Sequence, residues 1–244
     1  MSKPVFLVTG GSRGIGEAIA RRAAAAGYCV LLTYVARAES ALAVVDSIRA
    51  DGGDAHAVQA DTGKPADIAK MFAAADQLGD LAVLCYNGGL TGGVGLLTDQ
   101  TDENLAEVVT VNLTGAMISA REAAKRMSTR LGGKGGAIVL LSSRAAGLGA
   151  PKQNVWYAAS KGGLDSLTIG LGAELAAEGV RVNAVSPGPI ATEIHPPGRL
   201  DSIRAALPMQ REGQPHEVAD AVMYLASDRA SYVAGANILV AGGR

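Results

Sequence analysis

The apolar positions of this chain fall into short runs separated by alanine-rich or amphipathic stretches, and the two kinds alternate from one end to the other. Residues 5–9, 30–34, 55–60, 81–85, 137–141, 180–185 and 238–240 read as strands. Most are apolar at nearly every position rather than at alternate ones, the mark of strands buried on both faces. Helix signals fall between them, at 17–26, 39–51, 65–78, 102–131, 157–178 and 216–226. The 102–131 stretch is long, and a break is expected near Gly115. Alternation of this kind predicts an α/β fold with a doubly wound, seven-stranded parallel sheet and helices on both faces. Residues 1–244 read as a single domain, because no linker, repeat or low-complexity tract interrupts them. The one unusually long connection, 188–214, carries Gly and Pro, and connections of that length are often substrate lids.

Composition then removes several classes of function. The 22 basic and 23 acidic residues leave a formal charge of −1 with no long charge run, so neither nucleic acid nor a membrane surface is expected as a partner. The apolar runs are far shorter than the ~20 residues needed to span a bilayer. Met1-Ser-Lys-Pro leads directly into the first strand, which leaves no room for a signal peptide and points to a cytoplasmic protein. Cys29 and Cys85 both lie in expected buried strands. A disulfide is open in principle, but two reduced core thiols suit a cytosolic chain better. Neither cysteine has metal-ligand company in the sequence, and His56, His195 and His216 are scattered, so no metal is expected.

The first strand runs into Gly10-Gly11-Ser12-Arg13-Gly14-Ile15-Gly16 and then a strong helix former. Glycines at such a turn let a backbone approach a pyrophosphate, whose charge settles on the helix N-terminus. The spacing Gly10-x3-Gly14-x-Gly16 departs from G-x-G-x-x-G, and a plain tight turn is the bland alternative. Position as the first strand-to-helix turn of the chain favours the cofactor, and with it a Rossmann-type sheet. A second constellation is Tyr157-x3-Lys161. Four residues apart on a helix, the two side chains share a face with Cβ atoms about 5–6 Å apart. A phenol titrates near 10, and a neighbouring cation favours its ionised form. The pair suits proton transfer to or from an alcohol oxygen.

Thr9-Gly10-x3-Gly14-Ile15-Gly16 together with Tyr157-x3-Lys161 resembles the short-chain dehydrogenase/reductase family. So do Val111-Asn112, Ser142-Ser143 and Pro187-Gly188, in the same order, and the resemblance covers essentially the whole chain. It implies an oxidoreductase that interconverts a carbonyl and a secondary alcohol, and a homotetramer. In that likeness Tyr157 is the acid/base, and Lys161 lowers its pKa and holds the nicotinamide ribose. Ser143 donates to the substrate oxygen, and Asn112 continues a proton relay through water. Gly10, Ser12, Arg13, Gly14, Ile15, Gly16, Tyr34, Arg37, Asp61, Thr62, Asn87, Gly88, Pro187, Gly188, Ile190 and Thr192 join Tyr157 and Lys161 around the dinucleotide. An acid at the tip of the second strand would select NAD, whereas an arginine accommodates the 2′-phosphate of NADP. Here Arg37 follows Thr33-Tyr34-Val35-Ala36 and no acid comes before Glu39. With Arg13 this gives the NADP (NADPH) pattern, unless both arginines are merely solvated. Asp61 matches the family's adenine-contacting acid, or serves only as a turn residue.

Departures from the pattern bear on these roles. Ser143 precedes Tyr157 by fourteen positions instead of the family's thirteen, which reads as a one-residue insertion in loop 145–156. Ser142 would then point to the opposite side. Asn87-Gly88-Gly89 replaces the usual Asn-Ala-Gly. Arg144 either binds an anionic substrate group or pairs with a surface acid; Trp156 lines the pocket or a subunit contact; His195 touches substrate or is an exposed loop residue. An enoyl-thioester reductase would carry six residues between tyrosine and lysine, where this chain has Leu164. A catalytically silent, redox-sensing nucleotide binder is the alternative from another class, but such proteins are expected to lose the tyrosine or the lysine. The 102–131 stretch also carries Leu105, Val108, Val109, Leu113, Met117 and Ile118, more apolar faces than packing on one sheet requires.

Overall fold

The computed structural model describes residues 3–193 and 204–244. Seven strands form one parallel sheet: β1 (Val5–Val8), β2 (Cys29–Tyr34), β3 (Asp54–Gln59), β4 (Leu81–Tyr86), β5 (Gly136–Leu141), β6 (Val180–Pro187) and β7 (Asn237–Val240). Their order is β3-β2-β1-β4-β5-β6-β7, with Val8 in register with Leu32 on one side and with Cys85 on the other. The chain winds outward in one direction from β1 and then in the other from β4. The carboxyl ends of β1 and β4 therefore diverge into a crevice where the order reverses.

The helices are α1 (Gly14–Ala25), α2 (Ala38–Ala50), α3 (Pro65–Leu78), α4 (Asp102–Val109), α5 (Gly115–Met127), α6 (Arg144–Leu148), α7 (Val155–Leu175) and α8 (Pro215–Ala226). Two start as their sequences dictate. Pro65 and Pro215 occupy the first helical turn, where a missing N–H costs nothing. Phe6, Val8, Val30 and Val185 pack on one face of the sheet against Ile19 of α1, Val44 of α2 and Val222 of α8. Val5, Leu7, Leu31 and Ile138 pack on the other against Phe72 of α3, Ala120 of α5 and Leu164 of α7. Burial on both faces is why the strands read as continuous apolar runs.

The expected long helix 102–131 is broken near Gly115 by a wide turn at Thr110–Thr114, and α5 ends at Met127 rather than running to 131. Gly115 has its own reason to be glycine, since a Cβ there would strike the Thr62 carbonyl oxygen. Cys29 and Cys85 are both free and buried. The absence of metal-ligand company around them needs correction. Parallel pairing sets Cys29 opposite Asp54 and puts His56 on the same side, so their ligand atoms lie within 4.8 Å of one another. That trio closes on itself, with His56 Nε2 bonded to Asp54 at 3.2 Å and Arg49 on His56 Nδ1 at 3.5 Å. Among the described residues no helix is long and apolar enough to cross a membrane.

Candidate active site

Parallel strands deliver their carboxyl ends to one edge, so Gly10, Tyr34, Asn87, Ser143 and Pro187 all arrive on the same side of the sheet. Thr9 joins the two walls of the crevice. Its hydroxyl accepts from the backbone N–H of Asn87 at 3.0 Å and of Gly88 at 2.8 Å. The Asn87 amide donates back to the carbonyls of Thr9 and Gly10. Gly10 and Gly14 lie at φ of 65° and 55°, which explains glycine there. Gly16 is needed for closeness, because a Cβ would collide with the Gly10 carbonyl oxygen and lie 2.7 Å from Asn87 Nδ2. No side chain caps the start of α1, so its first-turn N–H groups are left for an anion. Ser12 and Ile15 are half-buried beside this turn.

The remaining expected cofactor positions surround the same crevice. Asp61 Oδ1 accepts from Gly63 N at 2.9 Å and its other oxygen lies 3.7 Å from Lys64 Nζ, a turn arrangement that leaves the carboxylate half-buried. Thr62 is buried beneath it, and Tyr34 is half-buried at the end of β2. After Pro187, Gly188 N donates to Val240 O at 2.9 Å, and Ile190 is buried. Thr192 then sits over the glycine turn, 3.3 Å from where a Gly14 Cβ would be. Arg13 and Arg37 are exposed, and both donate to Glu193 Oε2, at 2.9 and 2.8 Å. Nothing in the sequence marks Glu193, whose partners lie 180 and 156 positions away. The expected lid lies partly outside the described residues, as does His195.

The chemistry-bearing cluster stands at the other end of the crevice. α7 carries Tyr157 and Lys161 on one face, with the ammonium 5.8 Å from the phenol ring centre. Ser143 ends the strap after β5 and caps α6 by accepting from Ala145 N at 3.1 Å. Its hydroxyl is near enough to Tyr157 to draw the phenol's pKa down. Ser142 is buried and turned away, donating to the Lys161 carbonyl at 3.1 Å. The loop between α6 and α7 bends through positive φ at Ala150 and Lys152. Asn112, in the wide turn, is buried: its amide donates to Leu90 O at 2.9 Å and Ser160 Oγ at 3.0 Å, and accepts from Leu90 N. Its side chain is therefore a clasp that fixes loop 87–90 to α7.

The electrostatics differ from expectation in one respect. Burial raises the Tyr157 phenol above its ordinary value, and the nearby Ser143 hydroxyl only partly offsets it. Lys161 Nζ donates to the Leu141 carbonyl at 2.6 Å. Burial pushes it down to about 8, against the pull of half-buried Asp165. At Tyr157 desolvation outweighs the Tyr–Lys attraction that the four-residue spacing suggests. Arg144 Nε donates to Arg244 O at 2.7 Å rather than to a surface acid. Trp156 is buried, its indole donating to Thr91 O at 2.9 Å.

Residues 10–244 match the family model described as enoyl-(acyl carrier protein) reductase. The chain is 46% identical over 245 residues to the uncharacterized oxidoreductase YgfF of Escherichia coli K12, covering 98% of this chain and 99% of that one. It is 38% identical over 245 residues to a 3-oxoacyl-(acyl-carrier-protein) reductase of Synechocystis sp., covering 100% and 97%. Among solved structures it resembles a blue fluorescent protein from a metagenomic library in complex with NADPH, at a TM-score of 0.92 and 35% identity, over 98% and 97% of the two chains.

Proposed function

The chain belongs to the short-chain dehydrogenase/reductase family, and we propose that it is an NADP(H)-dependent oxidoreductase interconverting a carbonyl and a secondary alcohol, with Tyr157 as acid/base. The observation that carries this is Tyr157 and a buried Lys161 on one face of α7, beside Ser143 at the carboxyl edge of the sheet. Residues around the crevice fit a dinucleotide. The glycine turn has no side chains to obstruct it, the α1 N-terminus lacks a side-chain cap, and two guanidiniums converge on one point. Gly10 to Gly16 would hold the pyrophosphate, Asp61 and Gly88 would flank the adenosine, and Arg13 and Arg37 would take the 2′-phosphate. The solved relative that holds NADPH supports this choice.

When bound, the nicotinamide supplies or accepts the hydride. Ser143 and Tyr157 hold the substrate oxygen where charge develops. Tyr157 is placed to donate its proton to an oxygen gaining negative charge in reduction, and to take it back in oxidation. Lys161, held at the end of β5, is placed to bind ribose hydroxyls and to keep positive charge near the phenol. Asn112 positions loop 87–90 and Ser160. Leu164, where an enoyl-thioester reductase would carry its lysine, is fully buried in the core, which favours carbonyl over enoyl chemistry. Val109 and Met117 remain exposed on α4 and α5 and support assembly into a homotetramer.

The test is NADPH oxidation followed by absorbance with ketones, quinones and 3-oxoacyl thioesters. Turnover of any carbonyl that Tyr157→Phe abolishes is expected. Cofactor binding without turnover of any of these would favour the silent nucleotide binder instead.

A further inference from the structure

Glu193 belongs to the strap that follows β6, Arg13 to the first glycine turn and Arg37 to the end of β2. Tertiary structure alone brings the three together. A single carboxylate oxygen receives one donor from each guanidinium, at 2.9 and 2.8 Å. Two guanidiniums aimed at one oxygen is also the geometry in which they would grip a phosphate oxygen. The pairing is tenable but weak. The side chains are 47%, 52% and 65% exposed for Arg13, Arg37 and Glu193, so solvent and salt screen the attraction. The two arginines hold the Glu193 carboxyl below its ordinary range, which keeps it anionic across the neutral range.

We propose that Glu193 is a specificity-determining residue for the cofactor: its carboxylate is an internal competitor that occupies the arginine pair in place of the 2′-phosphate. This rests on the NADP(H) reading above. A phosphorylated nucleotide has to displace Glu193 before both arginines can grip it. A nucleotide with a bare 2′-hydroxyl displaces nothing, because the carboxylate stays on the arginines or accepts from that hydroxyl. Glu193 therefore weakens NADPH binding without weakening NADH binding, and narrows the selectivity that the arginines create. It also neutralises two adjacent cations at the rim of the crevice.

The test is fluorescence titration of the full chain with NADPH and with NADH, for wild type, Glu193→Gln, Arg37→Ala and the double variant, at low and high salt. Glu193→Gln is expected to tighten NADPH by about three- to ten-fold, the range for releasing two exposed ion pairs, and to leave NADH within about two-fold. The gain should shrink at high salt and largely vanish when Arg37 is already alanine. A wild type that binds the two cofactors equally overturns the NADP(H) reading and this proposal with it. A wild type that prefers NADPH, with Glu193→Gln neutral or weaker toward it, leaves that reading standing and overturns the role of Glu193. Equal tightening of both cofactors also overturns it, because the effect would not be addressed to the 2′ position.

Discussion

Removing the charge of Lys161 should cost activity and change how stability depends on pH. The side chain is 3% exposed, its ammonium donates to the Leu141 carbonyl, and burial brings it from 10.5 down to about 8. That difference corresponds to about 3 kcal/mol against the charged form in the folded state. The sign follows from proton binding. Below about pH 8 both folded and unfolded chains hold the proton, and the whole penalty is present. Between about 8 and 10.5 the unfolded chain still holds it while the folded chain has let it go, so stability rises with pH. Lys161→Met removes the penalty but leaves the Leu141 carbonyl without its donor, a loss of about 1–3 kcal/mol. The two largely offset near pH 7. The pH dependence does not cancel: wild type should gain about 2 kcal/mol relative to Lys161→Met between about pH 7 and pH 9.5. For a chain of this size that moves the difference in melting temperature by roughly 4–8 °C. Parallel urea titrations of both proteins at the two pH values measure it, with turnover lost in the variant at both. A stability gap that stays constant across this window would refute the claim that the site desolvates an ammonium.

Tyr157→Phe should retain cofactor binding and lose turnover by several orders of magnitude, read by titration and steady-state kinetics, because the ring stays and the transferable proton goes. Ser143→Ala should lower turnover far more than Ser142→Ala, which instead should cost about 1 kcal/mol of stability through its lost bond to the Lys161 carbonyl; the reverse order in kinetics would mean that the wrong serine faces substrate. Arg37→Asp should invert the order of NADPH and NADH dissociation constants, since a carboxylate repels the phosphate and accepts from a 2′-hydroxyl. Gly16→Ala should destabilise the fold by about 1–3 kcal/mol in denaturant melts and weaken nucleotide binding, because its Cβ collides with the Gly10 carbonyl.

What could be foreseen from the chain was whatever leaves a periodic or local trace. Strands apolar at nearly every position announced a sheet covered on both faces. The glycine turn and the four-residue Tyr157–Lys161 spacing are local too, so their placement at one edge followed from parallel strands. Features set by distant partners left no trace. The wide turn at Thr110–Thr114 has no side-chain periodicity of its own, so the break could be located only to the neighbourhood of Gly115. Ser143 standing beside Tyr157 depended on the course of a loop. The Lys161 shift depended on burial, which no spacing reports. Cys29, Asp54 and His56 met only because of strand register, and Glu193 found Arg13 and Arg37 across most of the chain.

The hydroxyl of Thr9 has a consequence for how the crevice comes into being. It bonds to backbone donors 78 and 79 positions downstream. As the chain leaves the ribosome, the glycine turn is complete long before β4 exists, and for that interval the crevice has a single wall. The Gly10 carbonyl lacks its Asn87 amide and the Thr9 hydroxyl lacks both of its donors. The glycine turn alone is thus a sequence signature without a receptacle; β4 docking on β1 makes the receptacle. A ligand seated there straddles a seam between early and late parts of the polypeptide. A dinucleotide held there would rivet the whole sheet, and the first strand-helix unit on its own would not suffice to capture it.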